Sequence, residues 1–257
     1  MSLEGTDLDK LALSTEKLLA GTDSKITTVG YYCNPIQYAE HRKTLENVIC
    51  TAGKFGATHV STFAGAWEGK PVESAYEEFG KVFRELADLA EEKGVKLGIE
   101  NCLMDGTWEH ATCNIGFNPK AWEVMFEEVK NDNFGLEWEP THQMVQLIDP
   151  VTELRKWCKK IVHIHGKDAT IDWDAVRHSG ISGAVPFVWH RMPGFGDTNW
   201  RDIISILRSN GYEDDICIEG YHDPVYSGEL EMTGQLHALN YLKWCRGGEF
   251  TPTPWAK

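Results

Sequence analysis

Four short segments carry residues able to do chemistry: Ile99-Glu100-Asn101, Glu137-Trp138-Glu139-Pro140-Thr141-His142, His163-Ile164-His165-Gly166-Lys167-Asp168 and Ile218-Glu219-Gly220. Each sets an acid or an imidazole at the end of a short apolar run that reads as a strand. Each is followed by loop residues and then a helical pattern. Three carboxylates and an imidazole at one point would hold a divalent cation that favours oxygen and nitrogen donors. A parallel α/β barrel would gather them, because the C-terminal ends of its strands open on one face.

Within each segment the spacing narrows the choice. Glu137 and Glu139 flank Trp138, and strand residues two apart share a face; Glu139 lies nearer the strand end and is the expected ligand. His163 and His165 stand in the same relation, and His165 is expected for the same reason. Glu100 follows Leu97-Gly98-Ile99, and Glu219 follows Ile216-Cys217-Ile218. Both put a charge at the end of a buried strand, which is costly unless the charge is paired or metal-bound. Arg191 lies in a Gly-rich loop, His190-Arg191-Met192-Pro193-Gly194-Phe195-Gly196-Asp197, that leads into a helix. A guanidinium there can grip substrate oxygens or phosphate. Asn34, in Tyr31-Tyr32-Cys33-Asn34-Pro35, follows a strand and either starts a turn or contacts a ligand. The Gly194-Phe195-Gly196 triplet is too short a signal for a dinucleotide site.

The elements that must position these residues alternate. Strands are expected over 26–32, 59–63, 96–100, 134–138, 161–165 and 215–219, each short and rich in β-branched, aromatic or aliphatic residues. Helices are expected over 8–19, 75–93, about 119–130, about 150–159, 200–209 and 229–244. Phe79, Val82, Phe83, Leu86, Leu89 and Ala90 recur at helical spacing, and Gly94 supplies a stop. Asn118-Pro119 and Asp149-Pro150 each read as an N-cap followed by a first-turn proline. Strand–helix alternation implies parallel pairing with right-handed crossovers. The stretch 169–198 lacks periodicity and is expected to be a long loop. With no linker-like composition, one domain over 1–257 is the simplest organisation, with 1–5 as an added leader.

The chain has 257 residues, 42% of them hydrophobic, and a formal net charge of −14. That charge repels phosphate backbones and argues against a nucleic-acid partner. The seven cysteines are scattered and contain no C-x-x-C pair, a pattern suited to a reducing cytoplasm rather than a disulfide framework. No apolar run reaches the roughly 18 residues of a membrane span, and no signal peptide is visible. A cytoplasmic protein without a membrane partner is expected.

In this order, the segments resemble the xylose isomerase-like TIM-barrel superfamily, and within it the bacterial sugar phosphate isomerases and epimerases. The resemblance runs from about Ile26 to Trp244. Its most specific pieces are Gly98-Ile99-Glu100-Asn101-Cys102, the 135–142 and 163–168 segments, Pro193-Gly194-Phe195-Gly196 with Trp200, and Ile218-Glu219-Gly220. It implies one divalent ion, commonly Mn²⁺, Mg²⁺, Co²⁺ or Zn²⁺, on Glu100, Glu139, His165 and Glu219. The superfamily typically has Asp where this chain has Glu139. The resemblance further implies that His142 and Arg191 contact substrate, and that Lys167 occupies a lysine position of the same site. Members begin with two strands ahead of the segment matching 26–32. Here six strands are readable, so the expected fold is a (β/α) barrel lacking the first two. An open flank between the 26–32 and 215–219 strands would favour a homodimer.

The implied reaction is metal-dependent isomerisation or epimerisation of a sugar, ketose or sugar phosphate by proton transfer through an enediolate, with Glu100 and Glu219 as the acid–base pair. The same residues would serve an alternative, dehydration of a keto-cyclitol of the inosose type. A reading of another class is a non-catalytic or truncated barrel relative.

Overall fold

The runs Leu97-Gly98-Ile99 and Phe134-Gly135-Leu136 show no polar alternation, the pattern of strands covered on both faces, and all six residues are buried. A computed structural model of the chain describes residues 6–248 and 251–253; the reading of 1–5 as a leader lies outside them. In chain order the elements are Leu8–Leu19 (α1), Thr28–Gly30 (β1), Ala39–Thr51 (α2), His59–Thr62 (β2), Tyr76–Glu92 (α3), Lys96–Glu100 (β3), Pro119–Glu128 (α4), Phe134–Trp138 (β4), Pro140–Met144 (α5), Pro150–Trp157 (α6), Ile161–Gly166 (β5), Asp168–Ile171 (β6), Trp173–Ser179 (α7), Val188–Arg191 (β7), Trp200–Ser209 (α8), Ile216–Ile218 (β8) and Glu231–Arg246 (α9). The chain divides into two compact units, Met1–His142 with Lys160–Ile164, and Gln143–Lys159 with His165–Lys257.

In the first unit five parallel strands are hydrogen-bonded in the order β1-β2-β3-β4-β5. The register pairs Glu100 with Glu137 and Glu137 with His163. It shifts between Leu136 and Glu137, where the β4 partner jumps from Ile161 to His163; such irregularities re-aim the side chains beside them. Helix α3 lays Phe79, Val82, Phe83, Leu86 and Ala90 against the sheet. Phe79 and Phe83 stack at 4.6 Å, and both meet Phe134. Burying each such ring contributes roughly 1.5–3 kcal/mol. Asn118 caps α4, its side chain accepting from the Lys120 amide, with Pro119 in the first turn. Helix α1 is capped by Asp7 and buries none of its residues.

In the second unit β8 adjoins the end of β5, and the Glu219 amide donates to the Gly166 carbonyl at 3.1 Å. Asp149 caps α6 through the Val151 and Thr152 amides, and Asn199 caps α8. The buried face of α8 carries Trp200, Ile203, Ile204, Ile206 and Leu207. The 169–198 stretch is not the structureless loop expected. It holds α7 and the antiparallel pair β6–β7, registered Asp168 to Arg191 and Ile171 to Val188.

The six strands legible in the sequence are the six parallel strands among the described residues. Among the described residues before β1, Leu8–Leu19 are helical, as expected, and none forms a strand. The (β/α) alternation is that of a barrel lacking two of the eight strands.

Candidate active site

The first unit contributes the ends of β3 and β4. Glu100 is the last residue of β3, and Glu139 follows β4 directly. Both are buried, Glu139 completely and Glu100 with 7% exposure. Two asparagines fix the turns that carry them. Asn101 donates from Nδ2 to the Glu139 carbonyl at 2.9 Å and accepts from the Glu139 amide at 2.7 Å. Asn114 donates from Nδ2 to the Glu100 and Cys102 carbonyls at 2.9 and 2.8 Å. Pro140 starts α5 immediately after Glu139, and the helix returns His142 to its own strand end, Nε2 lying 3.4 Å from Glu139 Oε1. Glu100, Cys102 and His142 offer donor atoms that all lie within 4.8 Å of one another.

Glu137, the carboxylate passed over in favour of Glu139, is equally buried. It accepts from the Tyr32 hydroxyl at 2.8 Å, and His163 Nε2 lies 3.9 Å away. His163 also meets Thr28 Oγ1 at 3.4 Å and the His59 ring at 5.9 Å. Glu137 and His163 thus belong to a buried polar layer between strands. Asn34 is buried and structural in its contacts: Nδ2 donates to the Ala66 carbonyl, and Oδ1 accepts from the Ala66 and Gln37 amides. It ties the loop after β1 to the loop after β2.

The second unit contributes the end of β5 and the residue after β8. His165 Nδ1 lies 3.1 Å from Glu219 Oε2, and Lys167 Nζ lies 2.8 Å from Glu219 Oε1. Lys167 is 3% exposed. An ammonium this close favours the ionised carboxylate. Arg191, at the end of β7, is held by Asp223 (Nε to Oδ2, 3.4 Å) and sits over the Phe195 ring at 5.8 Å. Asp223 also accepts from the Met192, Val225 and Tyr226 amides at 2.7, 2.8 and 2.8 Å. Although burial opposes ionisation there, these amides and Arg191 hold its carboxyl below the usual range. Burial, aided by Lys167 and His222, pushes the neighbouring His190 down to about 4, so its imidazole is neutral at pH 7. Asp168 is fully buried and accepts from the Ala169, Gly194 and Thr198 amides, which shapes the Pro193–Gly196 turn.

The structure therefore brings Glu139 to His142 in one unit, and His165 and Lys167 to Glu219 in the other. It sets Arg191 on Asp223 and Asn34 on its loop partners. Sequence reasoning missed Asn114 and Asp223, single residues in loops with no periodicity or motif of their own. Asn101 was legible as part of a segment but not as a clamp. The carboxylates and imidazoles of both units are donors of the kind that hold a divalent cation.

A curated inosose dehydratase of Clostridium tetani is 26% identical over 182 residues, covering 69% of this chain and 57% of that one. The chain thus matches little more than half of that relative's length. An inosose dehydratase of Clostridium perfringens is 22% identical over 227 residues, covering 85% of this chain and 73% of the relative. Both relatives are enzymes. Among solved structures, the IOLI protein, described with a binding zinc atom, superposes with a TM-score of 0.65 at 21% identity, over 95% of this chain and 81% of that one; this likeness shows the fold. No helix among the described residues is long and apolar enough to cross a membrane. The family model for the xylose isomerase-like TIM barrel matches residues 6–243, and the chain belongs to that family.

Proposed function

We propose that this chain is a divalent-metal-dependent dehydratase acting on a keto-cyclitol of the inosose type, with Glu100, Glu139, His165 and Glu219 holding the ion. One observation carries the site: each of the four stands at the C-terminal end of a parallel strand, as the last or penultimate residue of β3 and β5 or directly after β4 and β8. The curated relatives favour dehydration over the isomerisation or epimerisation that the sequence suggested first.

The residues fit a metal on their own chemistry. Glu100 and Glu139 are buried carboxylates, and buried charge is characteristically paired or metal-coordinated. Three carboxylates and one imidazole suit Mn²⁺, Mg²⁺, Co²⁺ or Zn²⁺, and zinc is the ion described in the IOLI protein. The ion would supply Lewis acidity toward a substrate carbonyl.

The chain's own groups do the rest. Glu219, ion-paired with Lys167, removes the proton from the carbon beside the carbonyl. The acid–base pair of Glu219 and Glu100 returns that proton to the departing hydroxyl on the next carbon; one C–H and one C–O bond break, a C=C bond forms between the two carbons, and water leaves. His142 hydrogen-bonds substrate oxygens, and Arg191, fixed by Asp223, orients the far side of the ring. The proposed partners are this small carbohydrate and a second copy of the chain.

The test is a substrate panel of inososes, ketoses and ketose phosphates with added Mn²⁺, read by mass spectrometry. Dehydration gives a product lighter by one water from the keto-cyclitol. A product of unchanged mass from a ketose would instead establish the isomerase or epimerase, and turnover of no substrate by the metal-loaded protein would favour a non-catalytic relative.

A further inference from the structure

We propose that Glu100, Cys102 and His142 form a thiolate-containing cation site that takes a thiophilic divalent ion such as Zn²⁺ or Co²⁺. The dehydratase mechanism gives Cys102 no task. Yet its Sγ, a carboxylate oxygen of Glu100 and a ring nitrogen of His142 lie within 4.8 Å of one another. Among the described residues, this is the one grouping of three or more metal-type donors that includes a sulfur.

The local structure holds the three donors ready. Asn114 binds the carbonyls on either side of Asn101, fixing the Glu100–Cys102 turn. Asn101 in turn binds the Glu139 backbone one residue before α5, the helix that carries His142. Glu100 and His142 are buried and Cys102 is half-buried, so an ion can enter and still be largely desolvated. The other cysteines differ. Cys50 and Cys217 are exposed. Cys33, Cys113, Cys158 and Cys245 join no grouping of three or more metal-type donors among the described residues.

Cysteine, histidine and glutamate are all zinc ligands, and three protein ligands leave one position of a tetrahedral ion open. A sulfur donor selects Zn²⁺ and Co²⁺ over Mg²⁺ and Mn²⁺. Binding exchanges the thiol proton for the metal, so one proton is released per ion bound. The site shares Glu100 and His142 with the proposed active centre but does not depend on a dehydratase activity.

The test is a Co²⁺ titration of the full chain after metal removal. The expected result is a near-ultraviolet sulfur-to-cobalt charge-transfer band, lost in Cys102→Ser and shifted to at least about tenfold higher cobalt in His142→Ala, since changes to outer-shell partners alone cost about 10–100-fold. Zn²⁺ should displace the band and Mg²⁺ should not. In the wild-type chain, Zn²⁺ should also protect Cys102 from alkylation, read by peptide mass spectrometry, which needs no variant to fold. No band, a band retained in Cys102→Ser, or no protection would overturn the site. Glu219→Gln separates the two readings. It should lower total bound cobalt and leave the band intact, whereas unchanged total cobalt would refute the four-ligand centre alone.

Discussion

Asn101 and Glu139 bind each other twice through the backbone of the glutamate: Nδ2 donates to the Glu139 carbonyl and Oδ1 accepts from the Glu139 amide. The residue after β3 therefore sets the conformation of the residue after β4. Both are fully buried, so neither backbone group has water as a substitute partner.

Asn101→Ala should accordingly destabilise the chain by roughly 2–6 kcal/mol, since a buried group left unsatisfied costs about 1–3 kcal/mol and two are affected. Metal uptake should weaken with it, because Glu139 loses its fixed backbone. Urea unfolding and a metal titration check both; an unchanged unfolding midpoint would show that the clamp contributes nothing.

This clamp also shows where sequence reading stops. Strands β3 and β4 were legible to the residue, because each is an apolar run ended by a charge or an aromatic and followed by turn residues. The ligand choices followed from position along those strands. The partners of Asn101 and Asn114 were not legible, since one amide in a loop reaches 38 or 14 residues along the chain with no local signal. The hairpin β6–β7 escaped for a different reason. Its strands are four residues long, only half-buried over much of their length, and separated by α7 and a Gly-containing turn, so neither a period of two nor a period of 3.6 builds up.

Gly196 illustrates the tight packing behind the Arg191 loop. A Cβ there would run into Asp168 Oδ1 and the Ala169 carbonyl, both backed by fully buried atoms. Gly196→Ala should cost about 1–3 kcal/mol, the usual range for overpacking, and should disturb the three amide contacts of Asp168. Thermal unfolding measures the first effect. Gly211→Ala, where a Cβ meets nothing but φ is +77°, serves as the comparison for backbone strain without a clash.

Glu219→Gln should reduce turnover to background with the chain still folded, because the amide can neither accept a proton nor match the charge of Lys167. With Mn²⁺, which a sulfur-containing site does not select, His142→Ala should mainly raise KM, since its proposed contact in turnover is to bound substrate. Steady-state kinetics on the dehydrated substrate separate the two. Near-normal kcat in Glu219→Gln would remove the carboxylate from the mechanism.

His190 makes stability depend on pH in a defined direction. Burial holds its folded pKa at about 4, against 6.5 for an ordinary imidazole. Between those values the unfolded chain binds a proton that the folded chain does not, so stability rises with pH across that window. The contribution is complete above pH 6.5 and is lost as pH falls toward 4. His190→Gln should show a shallower fall in unfolding midpoint from pH 6.5 to 4.5 than the wild type. Equal slopes would mean that the imidazole titrates normally in the folded chain.

The second unit exposes apolar residues beside its edge strand. β8 ends its sheet, and edge strands left open tend to pair or be covered. Beside it, α9 exposes Met232, Leu236 and Leu239 at 75%, 59% and 41%, spaced i, i+4 and i+7 along one stripe. A groove of about 500 Å³ runs along β8, with Ile216, Ile218, Leu239 and Leu242 among its walls, and its lining carries both Glu213, Asp214 and Asp215 and Arg208, Lys243 and Arg246. We propose that a rotated copy of this surface covers it, with charges of both signs able to pair across a two-fold axis. The expected outcome is a homodimer by light scattering, converted to monomer by Leu236→Lys on the stripe and weakened by high salt, which screens the charged rim. If the wild-type chain is a monomer with its β8 amides exchanging at solvent rates, this flank is open in solution and no second copy covers it.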